Sequence, residues 1–284
     1  MVSMEDFGRY ETAWCPGCGN FSILQCVKQA LADKSLAPHQ VLFVSGIGQA
    51  AKTPHYMNCN LFNGLHGRAL PVATGARLAN PELTVIAESG DGCMYGEGGN
   101  HFLAALRRNV NLTVLVHDNQ IYGLTKGQAS PTSDLGHVTK AQPGGVQQEP
   151  FHPLSVAVAM RAGFVARGFT GNQEQLVELI QAAIDFPGFA LLDILQQCVS
   201  FNRVNTLQWY KERCNPLDEN YDPRDWEAAL AKSQEWGEVI PTGIIYINES
   251  RSSFEDNLLA SSREPMYKQT RSLDAVAEVM DSFA

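Results

Sequence analysis

The segment from Gly90 to Gly127 constrains the fold more than any other part of this chain. It follows an apolar, β-branched run over residues 83–87, which predicts a strand. Gly90-Asp91-Gly92 then places a carboxylate between two residues without side chains, so the backbone can approach a bulky anionic ligand. A predicted helix over 100–108 and a predicted strand over 112–116 return the chain to the same edge of a parallel sheet. Asp91 and Asn119, which follow the two strands, are therefore expected to face one ligand.

These positions offer only oxygen donors. A carboxylate from Asp91, an amide oxygen from Asn119 and the free backbone carbonyl of Ile121 suit Mg²⁺, with phosphate oxygens and water as the remaining ligands. A Gly-Asp-Gly turn alone is more often an ordinary turn of an α/β protein. The strand before it, the spaced Asn and the glycine-rich segment 96–100 together favour a cofactor site.

Composition excludes several classes of protein. The 284 residues carry a net charge of −9, and the longest basic cluster is Arg107-Arg108, which argues against a nucleic-acid partner. No apolar run approaches the roughly 18 residues of a membrane helix. The N-terminus lacks a basic region followed by an apolar one, and the seven cysteines are an odd number. We therefore expect a cytoplasmic protein without a membrane partner, whose cysteines are thiols or metal ligands.

A second informative segment is Trp14-Cys-Pro-Gly-Cys-Gly19, at the start of a predicted amphipathic helix. Cys15 and Cys18 could form a redox dithiol, half of a zinc site or half of an iron–sulfur site. A zinc site would favour a second close Cys/His pair, which the sequence does not offer. Charged candidates for binding an anion follow in the loops after the next predicted strand: Lys52, His66 and Arg68.

Taken together, the motifs resemble a known family. CPGCG, SGIG, LHGRALPVATG, GDG with GGNH, DNQIYGLTKGQASPT and Cys198 occur in the order found in β subunits of 2-oxoacid:ferredoxin oxidoreductases, over about residues 10–250. The resemblance implies a thiamine-diphosphate-binding fold of the α/β class, an open parallel sheet with helices on both faces. It also implies thiamine diphosphate, Mg²⁺ and one [4Fe–4S] cluster as cofactors. A 2-oxoacid would be oxidatively decarboxylated, with coenzyme A taking the acyl group and ferredoxin the electrons.

The resemblance also implies a partner. An α subunit would supply the pyrimidine-binding half of the cofactor site, including the Glu that activates the cofactor, in an αβ or (αβ)₂ assembly. Among 2-oxoacids we favour 2-oxoglutarate, with pyruvate next, because Lys52 and the segment containing His66 and Arg68 could hold a second carboxylate. These three residues are the candidate catalytic residues.

The family's sites carry over to matching positions here. Mg²⁺ would be held by Asp91, Asn119 and the carbonyl of Ile121. The predicted cofactor-binding residues are Cys18, Gly19, Gly46, Ile47, His66, Gly90, Asp91, Gly92, Asn119, Ile121, Gly123, Leu124 and Thr125.

One position departs from the family pattern. Members commonly have a cluster-ligating Cys in the loop after SGIG, where this chain has Gln49. Cys59 lies further along the same connection, so we expect the cluster ligands to be Cys15, Cys18, Cys59 and Cys198. The other cysteines are Cys26, Cys93 and Cys214.

The predicted organisation is a cofactor-binding domain over residues 1–200 and a C-terminal extension over 201–284. A helix is predicted over residues 152–164 and a strand over 164–169. A strand over 189–195 is predicted to be the last, and it brings Cys198 to the edge of the sheet where the ligand-binding motifs lie. From Phe201 onwards strand–helix alternation is expected to stop, and the extension to contact the partner or cover the cluster. Residues 134–152, rich in Gly, Pro and Gln, are expected to form a mobile loop.

Two other functions remain open from the residues alone. A non-redox thiamine-diphosphate decarboxylase or carboligase would explain Asp91 and Asn119 but leaves Cys15, Cys18 and Cys198 without a role. A non-catalytic electron-transfer subunit would explain the cysteines but not the magnesium constellation.

Overall fold

An eight-stranded sheet forms the centre of the computed structural model, which describes residues 1–258, 264–270 and 272–283. The strand order is β2-β1-β3-β4-β8-β7-β10-β9, and a separate two-stranded hairpin pairs β5 with β6. The strands are β1 Val41–Ser45, β2 Asn60–Asn63, β3 Thr84–Gly90, β4 Leu112–Asp118, β5 Ile121–Tyr122, β6 Gln128–Ala129, β7 Phe164–Phe169, β8 Phe189–Leu195, β9 Cys214–Pro216 and β10 Ile240–Ile247. The helices are α1 Asn20–Asp33, α2 Ala69–Ala79, α3 Gly99–Arg108, α4 Pro153–Ala159, α5 Gln173–Asp185, α6 Leu207–Arg213, α7 Trp226–Gln234, α8 Phe254–Leu258 and α9 Leu273–Asp281.

Helices cover both faces of the sheet. Strand β3 shows this, because Val85 and Ala87 belong to the core cluster packed by α2, α3 and α4, whereas Ile86 belongs to the cluster packed by α1 and α5. Six neighbouring strands of the sheet, in the order β2, β1, β3, β4, β8 and β7, run parallel. The strands of a parallel sheet that is buried on both faces appear in the sequence as apolar runs. The α/β class with helices on both faces is thus confirmed.

Helix α4 is shorter than the 152–164 segment predicted as helical. Arg161 adopts a positive φ of 53°, which ends the helix, and Ala162 N–H closes the turn on the carbonyl of Ala157 at 3.0 Å. Strand β7 can then begin at Phe164. Its bounds and those of β8 coincide with the predicted ranges 164–169 and 189–195.

The expectation that strand–helix alternation stops at residue 201 is wrong. The chain continues through α6, β9, α7 and β10. Strand β10 pairs antiparallel with β7, and β9 pairs with β10 as the edge strand. Ile240, Ile245 and Tyr246 are buried in that strand. Residues 201–247 therefore complete the sheet instead of forming a separate appendage, and β8 is not the last strand.

The predicted mobile loop over residues 134–152 contains no helix or strand. Its backbone nevertheless forms internal hydrogen bonds: Gly136 N–H donates to Val146 O at 2.8 Å, and Val146 N–H donates to His137 O at 3.0 Å. In the part of the chain that the structure describes, no helix has the length and apolar character needed to cross a membrane.

Candidate cofactor and cluster sites

Asp91 lies where β3 ends, as the glycine-flanked turn predicts. It precedes a π-helical turn over Gly92–Glu97, and its carboxylate is buried. Gly92 is required there because a Cβ at this position would lie 2.3 Å from Cε1 of Tyr122. The turn therefore packs directly against the loop that follows β4.

Asn119 follows β4, the neighbour of β3 in the sheet. Gly90 pairs with His117 across the two strands, so Asp91 and Asn119 leave the sheet at the same edge. The Asn119 side chain is fixed by a bond from Ile121 N–H to Oδ1 at 3.0 Å. Its backbone carbonyl accepts from Asn202 Nδ2 at 3.2 Å. Asp91 and Asn119 line one cavity of about 340 Å³, within the range of ligand sites.

Most of the predicted cofactor-binding residues line this cavity, which we call the cofactor cavity. They are Ile47, His66, Gly90, Asp91, Gly92, Asn119, Ile121, Gly123, Leu124 and Thr125. Gly46 and Gly19 do not, because each packs against a side chain. A Cβ at Gly46 would lie 2.5 Å from Cys93 Sγ, and one at Gly19 would lie 2.6 Å from Gln196 Cβ. Cys18 lies in a second cavity instead.

Sequence reasoning missed several side chains of the cofactor cavity, among them Glu97, His117 and Tyr122. The signal for His117 was a polar residue at the end of a strand that is otherwise apolar. Beneath the cavity, His117 Nδ1 lies 2.8 Å from Asn20 Oδ1, and its Nε2 lies 2.9 Å from Glu88 Oε1, outside hydrogen-bond angles. His117 thus joins the lining of the cavity to a buried polar group that includes Asn20 and Glu88.

Three carboxyl groups, those of Asp91, Asp118 and Asp193, are buried close to one another at this edge of the sheet. Burial raises the pKa of Asp91 from its ordinary value of 3.8 to about 6, although hydrogen bonds from Ser130 and Thr132 oppose the increase. Burial and the neighbouring charges of Asp193 and Asp91 also raise the pKa of Asp118 well above 3.8. The hydroxyl oxygen Oγ1 of Thr132 lies 2.7 Å from Asp91 Oδ2 and 2.9 Å from Asp118 Oδ1, and its single proton can be donated to only one of them at a time.

A divalent cation fits this arrangement, because it would offset charge that burial and hydrogen bonding leave uncompensated. Among residues 1–258, 264–270 and 272–283, no three His, Cys, Asp or Glu side chains converge on one metal position. The predicted magnesium set does not require such a group. It draws one carboxylate from the protein, together with an amide oxygen, a backbone carbonyl and oxygens of the ligand itself.

Cys15, Cys18 and Cys198 line the second cavity, which we call the cysteine cavity. Cys18 N–H donates to Cys15 O at 3.0 Å, and Ser200 Oγ donates to Cys15 Sγ at 3.1 Å. Burial raises the pKa of Cys18 to about 11; the Asn20 N–H opposes this, whereas Cys198 and Cys15 add to it. Three thiols of this kind are soft ligands suited to iron–sulfur chemistry, and they deprotonate when a metal binds. The donor set therefore fits a cluster.

The structure does not bring Cys59 to the cysteine cavity. Asn60 pairs with Leu42 and Asn63 with Ser45, so Cys59 lies beside the amino-terminal end of β1. At the rise of a strand, this is about 13 Å from the end at which the ligand loops leave the sheet. Cys59 packs against the core cluster of α1 and α5, and burial raises its pKa to about 12. The expectation that it completes the ligand set is not supported by this arrangement.

Gln49 lines both cavities, as do Asn119 and Gly123. The buried Oε1 of Gln49 has no hydrogen-bond partner among the described atoms, an arrangement that costs about 1–3 kcal/mol when nothing binds there. The two cavities therefore share these three lining residues, which we call the shared wall.

Of the three charged candidates, only His66 lines the cofactor cavity. Its Nδ1 lies 3.9 Å from Glu97 Oε1. Arg68 and Lys52 do not line it; Arg68 Nη1 instead lies 3.1 Å from His101 Nε2, and Lys52 lies in a 3₁₀ turn over Ala50–Tyr56.

Two protein families match this chain. The thiamine pyrophosphate enzyme C-terminal TPP-binding domain matches residues 40–194. The C-terminal part of the pyruvate ferredoxin oxidoreductase beta subunit matches residues 198–262. The first range runs from β1 to the penultimate residue of β8, and it contains the residues that line the cofactor cavity. The second begins at Cys198 and contains the strands β9 and β10 that complete the sheet.

Curated relatives and a solved structure agree with these families. The 2-oxoacid:ferredoxin oxidoreductase 1 subunit beta of Aeropyrum pernix is 43% identical over 265 residues, covering 89% of this chain and 83% of the relative. The 2-oxoglutarate synthase subunit KorB of Methanocaldococcus jannaschii is 37% identical, covering 83% and 86%. A structure of 2-oxoglutarate:ferredoxin oxidoreductase from Magnetococcus marinus, with 2-oxoglutarate, coenzyme A and succinyl-CoA bound, superposes with a TM-score of 0.90 at 34% identity, over 98% of this chain and 96% of that one.

Proposed function

This chain belongs to the β subunits of 2-oxoacid:ferredoxin oxidoreductases, and on that premise we propose that it binds the Mg²⁺–pyrophosphate end of thiamine diphosphate and one [4Fe–4S] cluster. The observation that carries the proposal is the shared wall. Gln49, Asn119 and Gly123 line both the cavity that contains Asp91 and the cavity that contains three cysteines. Neither a non-redox decarboxylase nor a simple electron carrier needs these two sites side by side.

Within the cofactor cavity, Asp91, Asn119 and the carbonyl of Ile121 would hold Mg²⁺ and through it the pyrophosphate. When bound, thiamine diphosphate supplies the electron sink that stabilises the carbanion left when a 2-oxoacid loses CO₂. The packing of Gly92 against Tyr122 would keep the backbone of the turn close to the pyrophosphate. An α subunit would close the open side of the cavity and contribute the activating Glu.

Electrons would leave through the cysteine cavity. Cys15, Cys18 and Cys198 would hold the cluster on the far side of the shared wall, which supports a short path from the cofactor to the cluster and on to ferredoxin. Coenzyme A would take the acyl group. The free thiols suit a reducing compartment, so we place the αβ complex in the cytoplasm.

We favour 2-oxoglutarate as the substrate, with pyruvate next. His66 lines the cofactor cavity and Arg68 follows it two residues later, so this segment could supply a positive charge for a carboxylate. Lys52 is the third candidate for this role. The relatives named for 2-oxoglutarate support the same choice.

The test uses the β chain expressed with and without its α subunit. The αβ complex should reduce ferredoxin with a 2-oxoacid and coenzyme A, fastest with 2-oxoglutarate in a panel of 2-oxoacids, and denaturation should release thiamine diphosphate. The β chain alone should show iron–sulfur absorption but no turnover, because it lacks the activating Glu. Turnover by the β chain alone, or an αβ complex without iron and sulfide, would overturn the proposal.

A further inference from the structure

We infer that the cluster is held by only three thiolates, and that the side-chain oxygen of Gln49 lies at its fourth iron. This inference rests on the proposed function, because it concerns the cluster assigned to the cysteine cavity. Gln49 lines that cavity together with Cys15, Cys18 and Cys198. Its Oε1 is buried and has no hydrogen-bond partner among the described atoms, so a donor atom is available at the wall.

The Gln49 backbone is fixed relative to the cysteines. Trp14 Nε1 donates to the carbonyl oxygen of Gln49 at 2.8 Å, and Trp14 immediately precedes Cys15. The loop that carries Gln49 is thereby tied to the loop that carries the first two thiolates. A donor on this loop keeps its place relative to the cluster.

The remaining cysteines are engaged elsewhere. Cys93 Sγ accepts from Ile47 N–H at 3.3 Å and from Gly67 N–H at 3.2 Å, on the other side of the wall. Cys26 is buried between α1 and α5, and Cys214 packs beside Tyr210 in the cluster of the added strands. Cys59 lies at the opposite end of β1, as its pairing register shows. None of these four lines the cysteine cavity.

This donor set predicts a distinct cluster chemistry. An amide oxygen is a harder and weaker ligand for iron than a thiolate, so the iron facing Gln49 should be the labile one. With one negative charge fewer among the ligands, the reduction potential should be higher than that of the same cluster with four thiolates. One-electron oxidation by ferricyanide would give [4Fe–4S]³⁺, which releases Fe²⁺ and leaves [3Fe–4S]⁺, with the ferricyanide reduced to ferrocyanide.

The experiment uses the αβ complex purified without oxygen, in four forms: the native chain, Gln49→Cys, Gln49→Ala and Cys59→Ser. Each is oxidised with ferricyanide, and iron content and EPR are recorded. Each is then reduced and rebuilt with ⁵⁷Fe²⁺ for Mössbauer spectroscopy. The native complex and Cys59→Ser should lose one iron of four, show a [3Fe–4S] signal and take up ⁵⁷Fe at a single site. Gln49→Cys should keep all four irons and show a lower reduction potential.

Gln49→Ala tests the amide itself. Without the oxygen donor, the reduced cluster should show an altered EPR signal and bind added cyanide more tightly than the native cluster does. An identical signal and identical cyanide affinity in Gln49→Ala would show that the amide is not a ligand. A native cluster that keeps four irons while Cys59→Ser loses one would make Cys59 the ligand, and either result overturns the inference. A native complex with no cluster at all would instead refute the proposed function.

Discussion

Trp14 Nε1 donates a hydrogen bond of 2.8 Å to the backbone carbonyl of Gln49, and this bond links the two cavities. Trp14 is buried, with its ring edge-to-face against Phe21 and Tyr56 at centroid distances of 5.4 Å and 4.8 Å. The indole therefore has both a packing role and a polar one. Because Trp14 precedes Cys15, its position determines how the loop of Cys15 and Cys18 meets the loop that carries Gln49.

Trp14→Phe should separate these roles, since a phenyl ring keeps much of the packing but cannot donate. We expect a loss of about 1 kcal/mol in the free energy of unfolding from the hydrogen bond. We also expect faster loss of the cluster in air, followed by the decay of visible absorbance. Trp209→Phe, in α6, serves as the control, because Trp209 packs against Tyr210 and Trp236 and does not line the cysteine cavity. Equal decay rates in the two variants would refute a specific role for the Trp14 bond.

Gly92→Ala should weaken cofactor binding. The added Cβ would lie 2.3 Å from Tyr122 Cε1, so the turn after Asp91 or the Tyr122 ring must move. Overpacking of this kind costs about 1–3 kcal/mol, which a melting curve would detect. Titration of the αβ complex with thiamine diphosphate and Mg²⁺ should show binding weakened by about 5-fold to about 150-fold if the whole of that cost falls on the bound state.

The matched control for this variant is Gly99→Ala, since a Cβ at Gly99 meets nothing within 4 Å. It should leave both the melting temperature and cofactor affinity unchanged within error. Combining Gly92→Ala with Tyr122→Ala removes the clashing ring and should restore the melting temperature. If the double variant melts no higher than Gly92→Ala, the clash is not the cause.

Asp193 should make stability depend on pH. Burial raises its pKa from 3.8 to about 6, Tyr95 and Arg167 oppose the increase, and Asp91 adds to it. Tyr95 OH donates to Asp193 Oδ2 at 2.6 Å. Because the folded-state pKa lies above the unfolded one, the stabilising contribution is complete below 3.8 and is lost as the pH rises through about 6.

Asp193→Asn should remove this dependence. The difference in free energy of unfolding between about pH 4 and about pH 7 should shrink by roughly 2–3 kcal/mol, the equivalent of the pKa shift. Denaturant titrations of the cofactor-free β chain across that range measure it. An unchanged pH profile in Asp193→Asn would show that this carboxyl group does not titrate in the folded protein as its burial predicts.

The sequence predicted the central sheet well because its strands are buried on both faces. Such strands appear as continuous apolar runs, and β7 and β8 were located to the residue. Strand β10 was missed because Pro241 and Gly243 are residues that usually interrupt strands. Pairing with β7 and burial of Ile245 determine its structure instead, and neither is visible locally.

The sequence predicted the candidate site only in part, for a similar reason. The positions of Asp91 and Asn119 at one edge follow from topology alone, and the structure brings both to the same cavity. The length of the connection from Gln49 to Cys59 allowed a fold-back towards the other cysteines. The pairing of β2 with β1 prevents it, but β2 is only four exposed residues, too short to predict from a pattern.

Asp91→Asn should leave the fold intact and abolish Mg²⁺-dependent binding of thiamine diphosphate. The amide keeps the size of the side chain and can still accept from Thr132, whose Oγ1 lies 2.7 Å from Asp91 Oδ2, but it is a much weaker ligand for a hard divalent cation. In the native αβ complex, saturating cofactor and Mg²⁺ at about 100 times the dissociation constant should stabilise the folded state by about 2.7 kcal/mol. Asp91→Asn should show none of this stabilisation in thermal melts, whereas Asp281→Asn, on the exposed face of α9, should show all of it. Retention of the full cofactor-dependent shift in Asp91→Asn would refute the magnesium assignment, and a lower melting temperature without cofactor would show that the carboxylate is needed for the fold itself.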